Sequence, residues 1–214
     1  VVTTYQSVSI PREVMTRSAD DAARDLEGMF GLGWKNYFLY FGAIEPKKNL
    51  ARIIEGHLAS GARAPLVVIG GRAWLSDKET ALLKTVQQRL KNADSRILQL
   101  DYLPYNMLMT LVRGARATLF PSLYEGFGLP VLESMLLGTA VLTSTAGSLP
   151  EVAGHAALLV DPYDANAISA GIRRLDADGD LRGELETRGR EQAARFSEAA
   201  YQARLRELYA PFAG

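Results

Sequence analysis

Apolar residues in this chain gather in short runs separated by longer amphipathic stretches. The runs are Tyr37 to Phe41, Leu66 to Ile69, Ile97 to Leu100, Ala117 to Phe120, Val141 to Thr143 and Leu158 to Val160. Runs of this length, bounded by Gly, Pro or Asp, predict strands buried on both faces. Between them the period becomes helical. Asn49 is a suitable N-cap for a stripe of Leu50, Ile53, Ile54 and Leu58. Ser76-Asp77-Lys78-Glu79 is a capping box opening a helix with Leu82, Leu83, Val86 and Leu90 inside. Pro104 starts another helix through Leu108, Leu111 and Val112. Val131 to Leu137 reads as the next, with Pro130 at a first helical position. Upstream, Ala19 to Phe30 is a short helix ended by Gly31-Leu32-Gly33. Val1 to Ile10 is a short strand or an extended linker stopped by Pro11.

Strand-helix alternation predicts an α/β fold, a parallel sheet of about six strands flanked by helices on both faces. A helical C-terminal tail follows, built from Ala165 to Leu175, Leu181 to Phe196 and Ala199 to Tyr209. Tyr201, Leu205, Leu208 and Tyr209 make an apolar stripe on the last segment, which must pack back on the body or meet something else. Ligands of such sheets bind beyond the carboxyl ends of the strands. Residues 42–48, 70–74, 101–103, 121–129 and 144–151 are therefore the ones to inspect.

Composition narrows the function classes. The chain has 214 residues, 48% of them hydrophobic, enough for a substantial core. Lys and Arg number 24, as do Asp and Glu, so net charge gives no support for bulk nucleic-acid binding. Cysteine is absent, which excludes a disulfide framework and Cys-based metal sites. No apolar run approaches the length of a membrane-spanning helix. The N-terminus lacks Met and a signal-peptide pattern, and reads as a piece of a longer protein.

Chemistry concentrates in Pro121-Ser122-Leu123-Tyr124-Glu125-Gly126-Phe127-Gly128-Leu129-Pro130-Val131-Leu132-Glu133. A glycine-containing turn feeding a helix N-terminus presents N–H groups to an anion. Glu125 and Glu133 flank it, and carboxylates suit sugar hydroxyls because each accepts several hydrogen bonds. Spacing alone favours a simpler reading, with Glu125 a solvated loop residue and Glu133 a helix-dipole partner. The Glu-Gly-Phe-Gly-Leu-Pro context favours a site. Lys47 and Lys48 follow the first strand and can neutralise phosphate. Adjacent side chains in a turn diverge, so one of the two is expected to face a ligand. Gly70 and Gly71 permit close approach to a ligand or form an ordinary turn, and Trp74 after them caps the core. Tyr102, with the backbone of Asp101 to Leu103, either lies against a base or packs on neighbours. His57, near a helix end where a cation is favourable, and His155, in a small-residue turn, show no metal-ligand spacing. Asp176-Ala177-Asp178 reads as a solvated turn.

The stretch from Pro121 to Glu133 resembles the C-terminal domain of the retaining GT-B glycosyltransferases of family 4, the "group 1" family, whose signature is Glu-x7-Glu. Gly138 to Ser144, Gly147 to Val152 and Gly42 to Leu50 extend the resemblance, which covers roughly Tyr37 to Pro162. It implies a Rossmann-like donor domain, the C-terminal half of a GT-B fold. In this division residues 1–15 are a linker or the end of an N-terminal domain. Residues 16–196 hold the nucleotide-sugar site, and 197–214 form a helix crossing back to the N-terminal domain. By the same resemblance Glu133 binds ribose and Glu125 the donor hexose. The backbone of Gly126, Phe127, Gly128 and Leu129 serves sugar and diphosphate, and Lys48 balances the diphosphate. Gly42, Lys47, Gly71, Tyr102 and Leu103 complete the substrate-binding set, with Glu125 and Lys48 as the catalytic pair. Family members commonly carry Arg where this chain has Ala43, and Lys47 is a candidate replacement.

The implied activity is metal-independent transfer of a hexose from a nucleoside-diphosphate sugar to a glycan or lipid-linked acceptor, with retention. No cofactor or metal is expected, only the donor substrate. The segments Gly42 to Asn49 and Gly70 to Trp74 resemble bacterial mannosyltransferases of surface-polysaccharide assembly and point to GDP-mannose. The implied location is cytoplasmic, with peripheral association at the inner membrane face an option for the full-length protein. Alternatives are a nucleotide-sugar epimerase, another GT-B enzyme such as a phosphorylase, or a non-catalytic nucleotide-sugar-binding module.

Overall fold

A computed structural model of the chain describes residues 3–71 and 96–212, together with Asp77, Ala81, Lys84 and Thr85. Its centre is a six-stranded parallel sheet. The strands are β1 (Phe38–Phe41), β2 (Leu66–Ile69), β3 (Ile97–Leu100), β4 (Ala117–Phe120), β5 (Ala140–Ser144) and β6 (Leu158–Val160). Every residue of β1, β2, β4 and β5 is buried, whereas the edge strands β3 and β6 are partly open. That is why the central strands read as apolar runs rather than as alternation.

Alternate strand residues feed two cores. Leu39, Phe41, Val67 and Ile69 pack on one face with Leu26, Met109, Val112, Leu132 and Met135. Phe38, Tyr40, Leu66 and Val68 pack on the other with Leu50, Ile53, Ile54, Ile168 and Ile172. The first face is covered by α2 (Ala19–Phe30), α4 (Tyr105–Gly114) and α5 (Leu129–Leu136), with α8 (Gly179–Ala194) packed on α5. The second is covered by α3 (Leu50–Ser60) and α7 (Ala165–Ala177), which pack on each other. Two short helices, α1 (Arg12–Thr16) and α6 (Leu149–Ala153), were not expected from the pattern, being only five residues each. The predicted helix after Ser76, with its capping box, lies almost wholly outside the described residues, as does Trp74.

Several expectations need correction. Asn49 does not cap α3: it sits at φ 63° and its side chain makes no cap bond. Its amide is engaged across the sheet instead. His57 is no helix-end cation. Its ring is fully buried, edge-on to Phe38, and burial lowers its pKa to about 4. Asp176 is not in a solvated turn. It forms an ion pair with Arg116, is only 17% exposed, and accepts a bond from the Arg63 N–H at 3.2 Å. Asp178 caps α8 by accepting from the Leu181 N–H at 2.9 Å. Asp176 is engaged because β4 begins beside the end of α7, a proximity absent from the local pattern, whereas the Asp178 cap is local.

Residues 3–10 form no strand or helix, and Tyr5 among them sits at φ 56°. Tyr5 joins this segment to the body. Its ring packs edge-on to Phe196 at 5.2 Å, and its hydroxyl donates to Glu151 Oε1 at 2.6 Å. Arg204 of α9 (Glu198–Tyr209) lies over the same ring, 4.9 Å from its centroid. No residue of α9 is buried, and Tyr209 beyond Leu208 remains 62% exposed.

Candidate functional site

The sheet order is β3-β2-β1-β4-β5-β6, so chain direction across the sheet reverses between β1 and β4. At such a reversal the loops leaving the two strands diverge to opposite faces and open a crevice at the carboxyl ends. The two loops here are 42–49 after β1 and 121–128 after β4.

The floor of the crevice is tightly made. Gly70, ending β2, faces the Gly42 carbonyl so closely that a Cβ would overlap its oxygen. Gly42 itself has φ 130°, a conformation side chains resist. The Ile44 N–H donates to the Gly71 carbonyl at 3.1 Å, tying the loop after β2 to the loop after β1. A short 3-10 turn, Pro46–Lys48, then carries the two lysines.

Those lysines diverge. Lys47 is half exposed, with Nζ 3.4 Å from Glu45. Lys48 turns into the crevice, where its Nζ donates to Glu125 Oε1 at 2.6 Å. Both side chains of this pair are nearly covered, 15% and 12% exposed. Two links hold the opposing loops at this separation. The Leu123 N–H donates to the Lys47 carbonyl at 2.8 Å. The buried Asn49 amide donates to the Pro121 and Pro162 carbonyls at 2.8 and 2.7 Å.

The turn into α5 is organised by Gly128, at φ 110°, and by Ser148. The Ser148 hydroxyl lies 2.9 Å from the Glu125 carbonyl and 2.7 Å from that of Phe127, within donating distance of both. The Phe127 ring points away from the crevice and packs edge-on to Phe196 at 5.7 Å. Pro130 is the second residue of α5 rather than the first. Glu133, one turn into the helix, accepts from the Tyr105 hydroxyl at 2.8 Å. Burial raises the Glu133 pKa, and the Tyr105 bond opposes this only in part. Burial and the neighbouring carboxylate raise the Tyr105 pKa, so its hydroxyl stays a donor.

The structure pairs Lys48 with Glu125 directly; Gly126 to Leu129 follow in the turn into α5, Glu133 lies further along α5, and Gly42 and Gly71 lie in the loops after β1 and β2. Gly126 is exposed and Leu129 is 39% exposed, whereas Gly128 between them is buried. Tyr102 is 87% exposed at the end of β3, which removes the expectation that it packs on neighbours. Leu103 beside it rests on the core. Lys47 is the predicted residue that lies apart, directed at Glu45. Three participants were missed from sequence: Asn49, Ser148 and Tyr105. Asn49 and Ser148 lie inside the quoted flanking motifs, which was the one signal available. Tyr105 follows Pro104 with no local mark of its partner 28 positions on.

A glycosyltransferase family model, "Glycosyl transferases group 1", matches residues 31–196, and the chain belongs to that family. One relative is the O-antigen chain mannosyltransferase B of Escherichia coli, 38% identical over 172 residues. The match takes in 78% of this chain and 44% of that protein, so the chain spans less than half the length of that relative. Among solved structures, the sucrose-phosphate synthase of Thermosynechococcus elongatus superposes with a TM-score of 0.75 at 24% identity, covering 99% of this chain and 51% of that one. Anabaena HepE in complex with UDP and glucose gives a TM-score of 0.77 at 19% identity, covering 91% and 53%. The two structures share the fold, a GT-B half.

Proposed function

We propose that this chain is the donor-binding half of a retaining glycosyltransferase that moves a hexose from a nucleoside-diphosphate sugar to a glycan or lipid-linked acceptor. The carrying observation is the Lys48–Glu125 pair at the β1/β4 reversal, beside the start of the helix that carries Glu133. Lys48 and the start of α5 oppose the negative charge that grows on the diphosphate as the glycosidic bond breaks. Glu133 accepts the ribose hydroxyls, and Glu125 accepts those of the hexose. The backbone from Gly126 to Leu129, exposed at Gly126 and buried at Gly128, lies between them. Lys47 is not part of this set. With Ala43 supplying no cation, Lys48 carries the phosphate charge on this side of the crevice. None of these roles calls for a divalent ion.

Mannose is the proposed hexose, since several relatives matched over about two thirds of this chain or more are named as mannosyltransferases, while two others are named as D-inositol 3-phosphate glycosyltransferases. GDP is the proposed carrier, with Tyr102 the surface for its base. The acceptor would be held by a further domain, as the coverage of the relatives allows. Cytoplasmic placement beside the membrane fits an enzyme of surface-polysaccharide assembly.

Calorimetry with GDP, UDP and ADP, then with their sugars, tests this reading. GDP and GDP-mannose should bind. Glu133→Ala should weaken GDP itself by about tenfold, the loss of one hydrogen-bonded charge contact. Glu125→Ala should instead blunt discrimination among GDP-hexoses. Binding of no nucleotide at all would remove the donor-site reading.

A further inference from the structure

Lys48 and Glu125 are assigned to different parts of the donor, yet in the unliganded chain they satisfy each other. Their 2.6 Å contact is largely shielded from water, so each is the other's main counter-charge. An arriving diphosphate must draw Lys48 away from Glu125 or share it. The pair cannot relax by moving its loops apart. Leu123 is bonded to the Lys47 carbonyl, and Asn49 is bonded to Pro121 and Pro162. Nor does the neighbouring lysine offer Glu125 a substitute, because Lys47 is half exposed and directed at Glu45.

Donor and product then differ in what they return to Glu125. A nucleoside-diphosphate hexose brings hydroxyl groups that donate to the carboxylate as Lys48 turns to the phosphates. A free nucleoside diphosphate brings none. It leaves Glu125 as a covered anion facing the phosphates, which is an unfavourable arrangement. We infer, resting on the donor-site reading above, that Glu125 is a specificity-determining residue for donor over product. It competes with the diphosphate for Lys48, weakens the hold on the spent nucleotide, and recloses the ion pair as that nucleotide leaves. This role is separate from recognising which hexose is present.

The test is a double-mutant cycle by calorimetry on this chain, with GDP and GDP-mannose as probes. Glu125→Gln keeps the shape of the side chain and removes its charge. It should tighten GDP by about tenfold while failing to tighten GDP-mannose, so that preference for the donor collapses. Glu125→Ala should change GDP in the same direction, which covers the case of a poorly folding glutamine variant. Combining Glu125→Gln with Lys48→Met should abolish the gain. Unchanged or weaker GDP binding in Glu125→Gln would overturn the inference, because Glu125 would then be orienting Lys48 for the phosphates. A gain that persists without Lys48 would also overturn it, pointing to general repulsion between carboxylate and phosphate. Failure of the wild-type chain to bind either probe is a distinct result that removes the donor site, and this inference with it.

Discussion

Glu133 accepts one bond from Tyr105, and burial holds its pKa above the ordinary carboxylate value. A carboxyl group whose folded pKa is raised contributes stability at low pH, and this is lost as pH rises through the folded pKa. Ionisation of Glu133 is thus a cost to folding that grows as pH rises. Glu133→Gln retains an acceptor for Tyr105 and carries no charge. It should melt about 2–4 °C above wild type at pH 8, with the difference closing toward pH 4, and should bind GDP more weakly. Thermal melts across that pH range would show it. A gap that is constant with pH, or that opens on acidification, would count against the assignment. At this scale the sequence indicated which residue types matter. Environment had to come from the fold, because the partner of Glu133 comes from α4 and the partner of Glu125 from the loop after β1.

The element that most constrains the site is the pair of strand ends at Gly42 and Gly70. Their close approach sets the path of the loop that carries Lys48. Gly70→Ala would push a methyl group into the Gly42 carbonyl, and backbone cannot yield as a side-chain tip can. The expected cost is about 1–3 kcal/mol, with nucleotide affinity falling as the loop shifts. Gly183→Ala in α8 is the matched control. Space there is open, and alanine should stabilise the helix by up to about 1 kcal/mol. Urea unfolding and GDP titration of both variants separate the two effects. Equal behaviour of the two would mean the strand ends have slack. Glycine at position 70 was legible as a turn, but its obligatory closeness to Gly42 was not, since the two belong to different strands.

For the whole molecule, the unsettled surface is the C-terminal end. The stripe of Tyr201, Leu205, Leu208 and Tyr209 was expected to need cover, and none of it is buried here. The helix is held at its start by Ser7, which donates to Glu198 at 2.9 Å, and by Arg204 on Tyr5. The chain also spans 44% of a mannosyltransferase relative. Together these support the prediction that the chain binds nucleotide but transfers mannose at least about 10²-fold more slowly than a chain that also positions an acceptor. A transfer assay with saccharide acceptors decides it. Ordinary turnover by these 214 residues would show that no second half is needed.

The six strands, the parallel α/β architecture and the stretch from Pro121 to Glu133 are all legible along the chain. Each is written locally, as an apolar run, a helical period or a glycine turn before a helix. Only the tertiary structure decided that Lys48 rather than Lys47 meets Glu125, that Asn49 staples two loops instead of capping a helix, and that Tyr105 reaches Glu133. These are contacts between elements far apart in the chain. Sheet order brings them together, and no local periodicity encodes the distance between a lysine and a carboxylate 77 positions later.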